Sequence, residues 1–380
     1  MRLYNVRTLR AQGLSAPMTV ELPVSDADDR DASGLILSPG WMDLHAHLRD
    51  PGFLQKETLA TACASAAFGG FTHVVAMANT DPVTDRPELV RNLVARAETQ
   101  PVRVSFVGAL TVGLEGRQLT DAVALRRAGA VALSDDGRHA IERTMLHAAM
   151  EAAAVAGLPV FIHPQREALG TAPDAENTAV DEALNVLREV PRARLHLQHI
   201  STEAAAGMVR DAKRDGLWLT AEATPHHLAL TEADAVRMGP AGNVNPPLRS
   251  ARDRDCLVEA LAEGVIDVIA TDHAPHDAPA KAAGANGFHG FETAVGVVLG
   301  LGLDDRVLYR ACVQRPRQIV GQPIDDEWTL IDPDLDWTVD ASSFRSRGKN
   351  TPFEGRRLRG RVVMTACAGQ VLFERMVQRV

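Results

Sequence analysis

The chain has 380 residues, 46% of them hydrophobic, which suffices for one α/β barrel domain with a small appendage. Its net charge of −9 argues against a general nucleic-acid or anionic-membrane surface. No apolar run approaches the ~20 residues that span a bilayer, and Met1 to Arg10 is polar and alternating rather than leader-like, so a cytoplasmic protein is the expectation.

Residues 1 to 38 carry two short alternating stretches, Leu3 to Leu9 and Met18 to Val24, separated by Gly13 and followed by the turn-rich segment Ser25 to Gly34. They are too few to make a core. Strands this short need partners, and the C-terminus offers Arg361 to Cys367 and Gln370 to Phe373, with Gly369 at the turn between them. The expectation is a small β-sandwich-like domain built from residues 1–38 and 325–380, leaving 39–324 as the main domain.

From Leu35 to about Arg310 the pattern is apolar strand, loop, amphipathic helix, repeated. Candidate strands end at Leu44, Ala78, Gly108 to Leu110, Leu133, Ile162, Gln198, Ala221 and Ala270. Helical segments between them include Glu57 to Phe68, Pro87 to Ala97, Ile141 to Ala156 and Glu203 to Arg214. Continuous apolar runs such as Val74 to Met77 and Val265 to Ala270 imply strands buried on both faces, as in a parallel sheet covered by helices. Eight strand–helix units predict a (β/α)8 barrel of the TIM type, with its active site where the strands end.

Residues able to hold a metal collect at those strand ends. His45 and His47 stand two apart, so on a strand both imidazoles point to the same side. Arg49 follows in phase, and its guanidinium fork suits a substrate carboxylate. Further on come Asp135 and Asp136, His163, His199, and then Asp272, His273 and His276. Zinc takes such nitrogen and oxygen ligands, and two ions bridged by a carboxylate would use about six protein ligands. The four cysteines, Cys63, Cys256, Cys312 and Cys367, contain no C-x-x-C pair and read as reduced and mostly buried.

At this point the chain resembles the dihydroorotases of the amidohydrolase superfamily, in the type where an aspartate replaces the carboxylated lysine as metal bridge. The resemblance runs from about Leu35 to Val363 and rests on PGWMDLHAHLRDPG, KET, GGFTHVVAMANTDP, SDDG, HIST, TAEATPHHL, NPPLR, DVIATDHAPH, GFETA and GKNTPF, in that order. It implies zinc, two ions per chain, held by His45, His47, Asp136 as bridge, His163, His199 and Asp272. It implies substrate contacts at Arg49, Asn79, Asn245 and His276, with Asn286 and Gly287 in the following loop, and Asp272 as catalytic acid and base. The implied reaction is reversible hydrolysis of dihydroorotate to N-carbamoyl-aspartate in pyrimidine biosynthesis. A homodimer and an aspartate carbamoyltransferase are the protein partners it suggests.

The chain departs from the family pattern in three places. Its start is short, Pro164-Gln165 replaces the usual Cys-Glu after His163, and the loop His276 to Gly290 lacks the usual Pro-Phe-Gly. Two other readings compete. Another cyclic amidase, an allantoinase or hydantoinase, would leave Arg49 without a carboxylate to grip. A metal-free scaffold for the carbamoyltransferase would be expected to have lost ligands, and none of the six is missing.

Several residues have plainer readings. Asp135 reads as a loop cap, and only the resemblance prefers Asp136 as bridge. His226 and His227 suit either a supporting shell or a polar loop, while His73, His139, His147, His196 and His289 read as surface or packing residues. Arg356, Arg357, Arg359 and Arg361 lack interleaved aromatics and read as a solvated face or protein contact. Gly69-Gly70 is a helix stop, since no phosphate-loop pattern follows.

Overall fold

The computed structural model describes residues 1–24, 28–137 and 142–375. Eight parallel strands follow one another in chain order: Trp41–Ala46, Phe71–Ala76, Arg103–Gly108, Ala130–Ser134, Val160–Ile162, Leu195–Leu197, Leu219–Ala223 and Val268–Ile269. Helices alternate with them, so the (β/α)8 expectation holds. The first and eighth strands do not form a regular ladder. Their seam is closed just beyond the strand ends, where Ala46 bridges His273 and the His47 amide donates to the His273 carbonyl at 2.8 Å. Deeper in the seam, the buried Asp43 carboxylate accepts from the Thr271 amide at 3.0 Å, from the Thr271 hydroxyl and from the His45 amide at 3.2 Å.

Local chemistry sets the helix limits. Thr58 caps Leu59–Phe68 with a reciprocal bond to Thr61, so that helix starts two residues after the expected Glu57. Pro87 opens Pro87–Ala97, and Thr202 caps Glu203–Arg214, both over the expected spans. Arg143–Ala156 ends as expected, but Ile141 lies outside the described residues. Gly157 stops it in the left-handed conformation, at a φ of +69°.

Two apolar layers follow from the strand alternation. One joins Trp41, Phe71, Leu125, Leu184 and Val209, and lies between strands and helices. The other fills the barrel with Met42, Val75, Val107, Ala132, Phe161 and Val268, and is completed by Ile319 and Val320 of the helix Arg315–Val320.

A second sheet combines both ends of the chain. Its order is Gln370–Glu374, Arg357–Cys367, Glu327–Thr338, Ile36–Pro39, Arg2–Arg10 and Gly13–Leu14, with Met18–Glu21 and Arg30–Asp31 also paired to Arg2–Arg10. Leu3, Val6, Leu37, Leu330 and Met364 form its core. The strand Glu327–Thr338 is absent from the sequence reading. Pro333 in its middle argues against a strand, and the structure accommodates it where the register shifts between Asp332 and Asp336.

An ion pair joins sheet to barrel. Arg317 and Glu327, each 1% exposed, bond to one another, and Arg317 also donates to the Gly40 carbonyl at 2.9 Å and the Val313 carbonyl at 3.0 Å. Thr72 and Arg103 complete the shell around Glu327, at 2.8 and 2.9 Å. Between the two long C-terminal strands, the chain leaves the sheet and returns to the barrel mouth. There Ser346 and the Arg347 amide donate to buried Glu57, and Asn350 accepts from the His276 amide at 3.2 Å.

The arginine run is engaged with neighbouring groups. Arg356 pairs with Asp234, Arg357 with Asp336 and Arg359 with Asp334, while Arg361 lies 4.1 Å above the centre of the Trp337 ring. All four cysteines are free thiols, and Cys63, Cys312 and Cys367 are buried. Among the described residues, no helix is long and apolar enough to cross a membrane.

Candidate active site

A cavity of about 240 Å³ opens at the C-terminal ends of the barrel strands. His47, Arg49, Asn79, Asp136, His163, His199, Asn245, Asp272, His276, Asn286 and Gly287 all line it. His45 lies beneath, fully buried. The structure therefore brings together the residues that the resemblance implied for metal, substrate and proton transfer, while Asp135 and His273, also at strand ends, lie outside the cavity lining.

The buried Asp136 carboxylate is the centre of the arrangement. One oxygen lies 3.5 Å from His45 Nε2 and 3.7 Å from His163 Nδ1, and the other lies 3.4 Å from His47 Nε2. Two groups with metal-ligating geometry result, His45–His47–Asp136 and Asp136–His163–His199, and they share this one carboxylate. Asp272 adjoins the first of these groups, with its Oδ1 3.0 Å from His47 Nε2 and 3.6 Å from His45 Nε2. Asp135 turns away and accepts from the Thr111 amide at 2.9 Å and from the Thr111 hydroxyl.

The electrostatics ask for positive charge. Burial opposes a charge on His45, but the carboxylates of Asp136, Glu222 and Asp272 overcome it and raise its pKa well above the ordinary value. Burial likewise opposes ionisation of Asp136, yet His45, His47 and His163 hold its pKa well below the usual range. Asp272 is lowered in the same way, burial being outweighed by His45, His47 and His199. Burial, with His163 and His45 adding to it, pushes His199 well down and keeps that ring neutral. His163 Nδ1 and His199 Nε2 face each other at 2.9 Å beside Asp136, and His199 Nδ1 has no hydrogen-bond partner among the described residues. Carboxylates held ionised in a buried site, a neutral His199 ring and a His45 ring drawn toward positive charge fit divalent metal ions.

The sequence reading missed what holds these groups. Glu222 accepts from His45 Nδ1 at 2.6 Å and from His196 Nε2 at 3.0 Å, which leaves His45 Nε2 turned toward Asp136. His45 and His196 hold the Glu222 pKa down at about 2 against the effect of burial. Its signal was a lone acid in the apolar strand Leu219–Ala223. Glu222→Gln should weaken metal affinity about 10–100-fold, read by competition with a chromophoric chelator. Unchanged affinity would show that His45 is oriented without it.

Gln165, at the departure from the family pattern, has a definite place. Its Oε1 bonds His163 Nε2 at 2.9 Å and accepts from Asn245 Nδ2 at 2.7 Å, so it orients the ring and the adjoining loop together. Asn79 accepts from His47 Nδ1 at 2.9 Å. Arg49 is half-buried with a φ of +61°, its Nε 3.4 Å from the Pro275 carbonyl and its Nη2 3.4 Å from His276 Nε2. Burial lowers its pKa to about 10, so it stays a cation, whereas burial and Arg49 lower His276 to about 4 and keep it neutral. No carboxylate faces the guanidinium closely enough to pair with it among the described residues, which leaves its charge available to the cavity.

The remaining histidines divide by environment. His227 Nε2 lies 3.0 Å from the Pro246 carbonyl and props the loop bearing Asn245, and His226 packs edge-on against Phe288. His73 and His289 are buried and bonded to Ser105 and Ser65, while His147 lies on an outer helix. His139 lies outside the described residues.

Comparison with known proteins agrees with this geometry. A dihydroorotase of Anaeromyxobacter dehalogenans is 40% identical over 390 residues, covering 93% of this chain and 90% of the relative. The chain belongs to the dihydroorotase family. A second dihydroorotase, from Bacillus caldolyticus, is 39% identical over 96% of this chain and 93% of its own length. The family described as Dihydro-orotase-like matches residues 34–172. Among solved structures, an L-hydantoinase (dihydropyrimidinase) from Arthrobacter aurescens superposes with a TM-score of 0.88 at 25% identity, over 100% of this chain and 97% of that one. A D-hydantoinase from a Thermus species shares the fold, with a TM-score of 0.84 at 20% identity over 98% and 95% of the two chains. The dihydroorotase family thus sits beside the hydantoinases, within a wider set of cyclic amidohydrolases.

Proposed function

We propose that the chain interconverts dihydroorotate and N-carbamoyl-aspartate in pyrimidine biosynthesis, as a zinc enzyme with two ions per chain. The observation that carries this reading is the pair of ligand groups sharing Asp136, with the cation of Arg49, which faces no carboxylate closely among the described residues, lining the same cavity. His45, His47, Asp136 and Asp272 would hold one ion, and Asp136, His163 and His199 the other. Bound there, zinc supplies a nucleophile at neutral pH and polarises the ring carbonyl.

The chain's own residues do the rest. Arg49 grips the substrate carboxylate, with Asn79 and His276 beside it, so orientation comes from groups remote from the scissile amide. Asn245 and the backbone of Asn286 and Gly287 border the ring. Asp272, ionised at neutral pH, takes the proton of the attacking water on its carboxylate and delivers it to the departing ring nitrogen. Cyclisation runs the same path backwards.

The competing amidase reading draws on the hydantoinase folds, but a neutral hydantoin leaves Arg49 without a partner. A non-catalytic scaffold would have no use for six ligand-type residues converging in one cavity. We propose residues 1–38 and 325–380 as a supporting β domain around a catalytic 39–324, working in the cytoplasm as a homodimer that accepts an aspartate carbamoyltransferase.

The test follows dihydroorotate by its ultraviolet absorbance, with metal counted per chain in the same sample. Turnover with close to two zinc ions is expected. A chelator should abolish it and added zinc restore it. Two bound ions with turnover of hydantoin or allantoin alone would replace this reading by the amidase one.

A further inference from the structure

Lys281 lies in the loop after the eighth barrel strand, on the short helix Ala278–Ala282, and is only 6% exposed. Its ammonium donates to three backbone carbonyls, those of Asn243 at 2.7 Å, Gly287 at 2.8 Å and Ala285 at 3.0 Å. The same nitrogen sits 5.5 Å from the centre of the Phe288 ring. Burial alone moves its pKa, down to about 8. A buried cation that faces carbonyls instead of a carboxylate is costly, and its geometry points to a purpose.

The three carbonyls belong to two different loops. Asn243 lies two residues before Asn245, which lines the cavity and bonds Gln165 through its side chain. Ala285 and Gly287 flank Asn286, whose carbonyl bonds His276 Nε2 at 2.8 Å. The Gly287 amide also donates to the Asn243 carbonyl at 3.0 Å, and Asn350 reaches the Gly287 carbonyl at the same distance. Converging carbonyl dipoles repel, so this crossing of two loops needs a compact donor with three hydrogens. An ammonium supplies them, while the planar fork of arginine does not match.

We propose that Lys281 is a positioning residue for substrate recognition, clamping the loop that carries His276, Asn286 and Gly287 to the loop that carries Asn245. The inference rests on the function proposed above for its kinetic test, but not for its structural one. Lys281 touches none of the metal-type ligands, so its loss separates binding from chemistry. In the full-length, zinc-loaded protein, Lys281→Met should raise KM for dihydroorotate about tenfold or more, with kcat within about threefold of the parent and zinc content equal.

Two further measurements guard against a merely structural effect. Lys281→Ala should recover much of its KM on addition of propylammonium, whereas Lys281→Arg should remain impaired. Hydrogen exchange should quicken at residues 239–250 and 276–290 together in Lys281→Met, whether or not substrate is turned over. If Lys281→Met does not fold, Lys281→Gln is put through the same kinetic and exchange measurements. An unchanged KM, or faster exchange in only one of the two loops, overturns the clamp. A parent protein that ignores dihydroorotate, with both loops loosened in the variant, sinks the proposed function and supports the clamp.

Discussion

Asp272→Asn is expected to lower turnover by about 10²–10⁴-fold while leaving most of the bound metal in place. Asparagine keeps the shape and one oxygen of the side chain, so the neighbourhood of His47 and His45 is little disturbed. It cannot accept a proton, and that is the property the proposed reaction takes from this position. His45, His47 and His199 hold Asp272 ionised despite its burial, so the carboxylate is ready as a base at neutral pH. Turnover and zinc content measured on one preparation decide the matter. Parent-like turnover would remove Asp272 from proton transfer, and loss of zinc alongside loss of turnover would make it chiefly a ligand.

The second large effect lies at the opposite end of the barrel. Arg317→Met should destabilise the fold by about 3–5 kcal/mol, because it leaves Glu327 as a buried carboxylate stripped of its main partner. Thr72 and Arg103 still reach that carboxylate, which places the expected loss toward the lower end of the range. Denaturant unfolding measures it. The double variant Arg317→Met with Glu327→Leu should regain much of the lost stability, since neither charge is then buried alone. Equal stability of Arg317→Met and the parent would mean that the Gly40 and Val313 carbonyls and Glu327 find water instead.

The barrel and its metal-type residues were legible because both depend on short-range pattern. Apolar runs such as Val265 to Ala270 announce buried strands, and polar residues directly after them mark the strand ends. The phase of His45 and His47 is likewise local. What stayed hidden depends on contacts between distant positions. Glu222 reads as an awkward acid in a strand until His45 and His196 are seen against it, from strands one and six. Lys281 carries no mark in the sequence, and its role shows only when its three carbonyls are in view. Pro333 hid the strand Glu327–Thr338, because no local rule says that a bulge will absorb it. Gln165 stood out only as a departure from the family pattern beside His163, and the structure gives it two bonds.

The sheet assembled from both chain ends constrains how the protein is made. Ile36–Pro39 finds its antiparallel neighbour only in Glu327–Thr338, nearly the whole chain later. During synthesis the opening strands therefore wait with an unpaired edge while the barrel forms behind them, and such edges invite association with other chains. Closing so long a loop is slow, so the sheet should lock after the barrel, sealing the barrel's base through Arg317 only once the strand Glu327–Thr338 has been made.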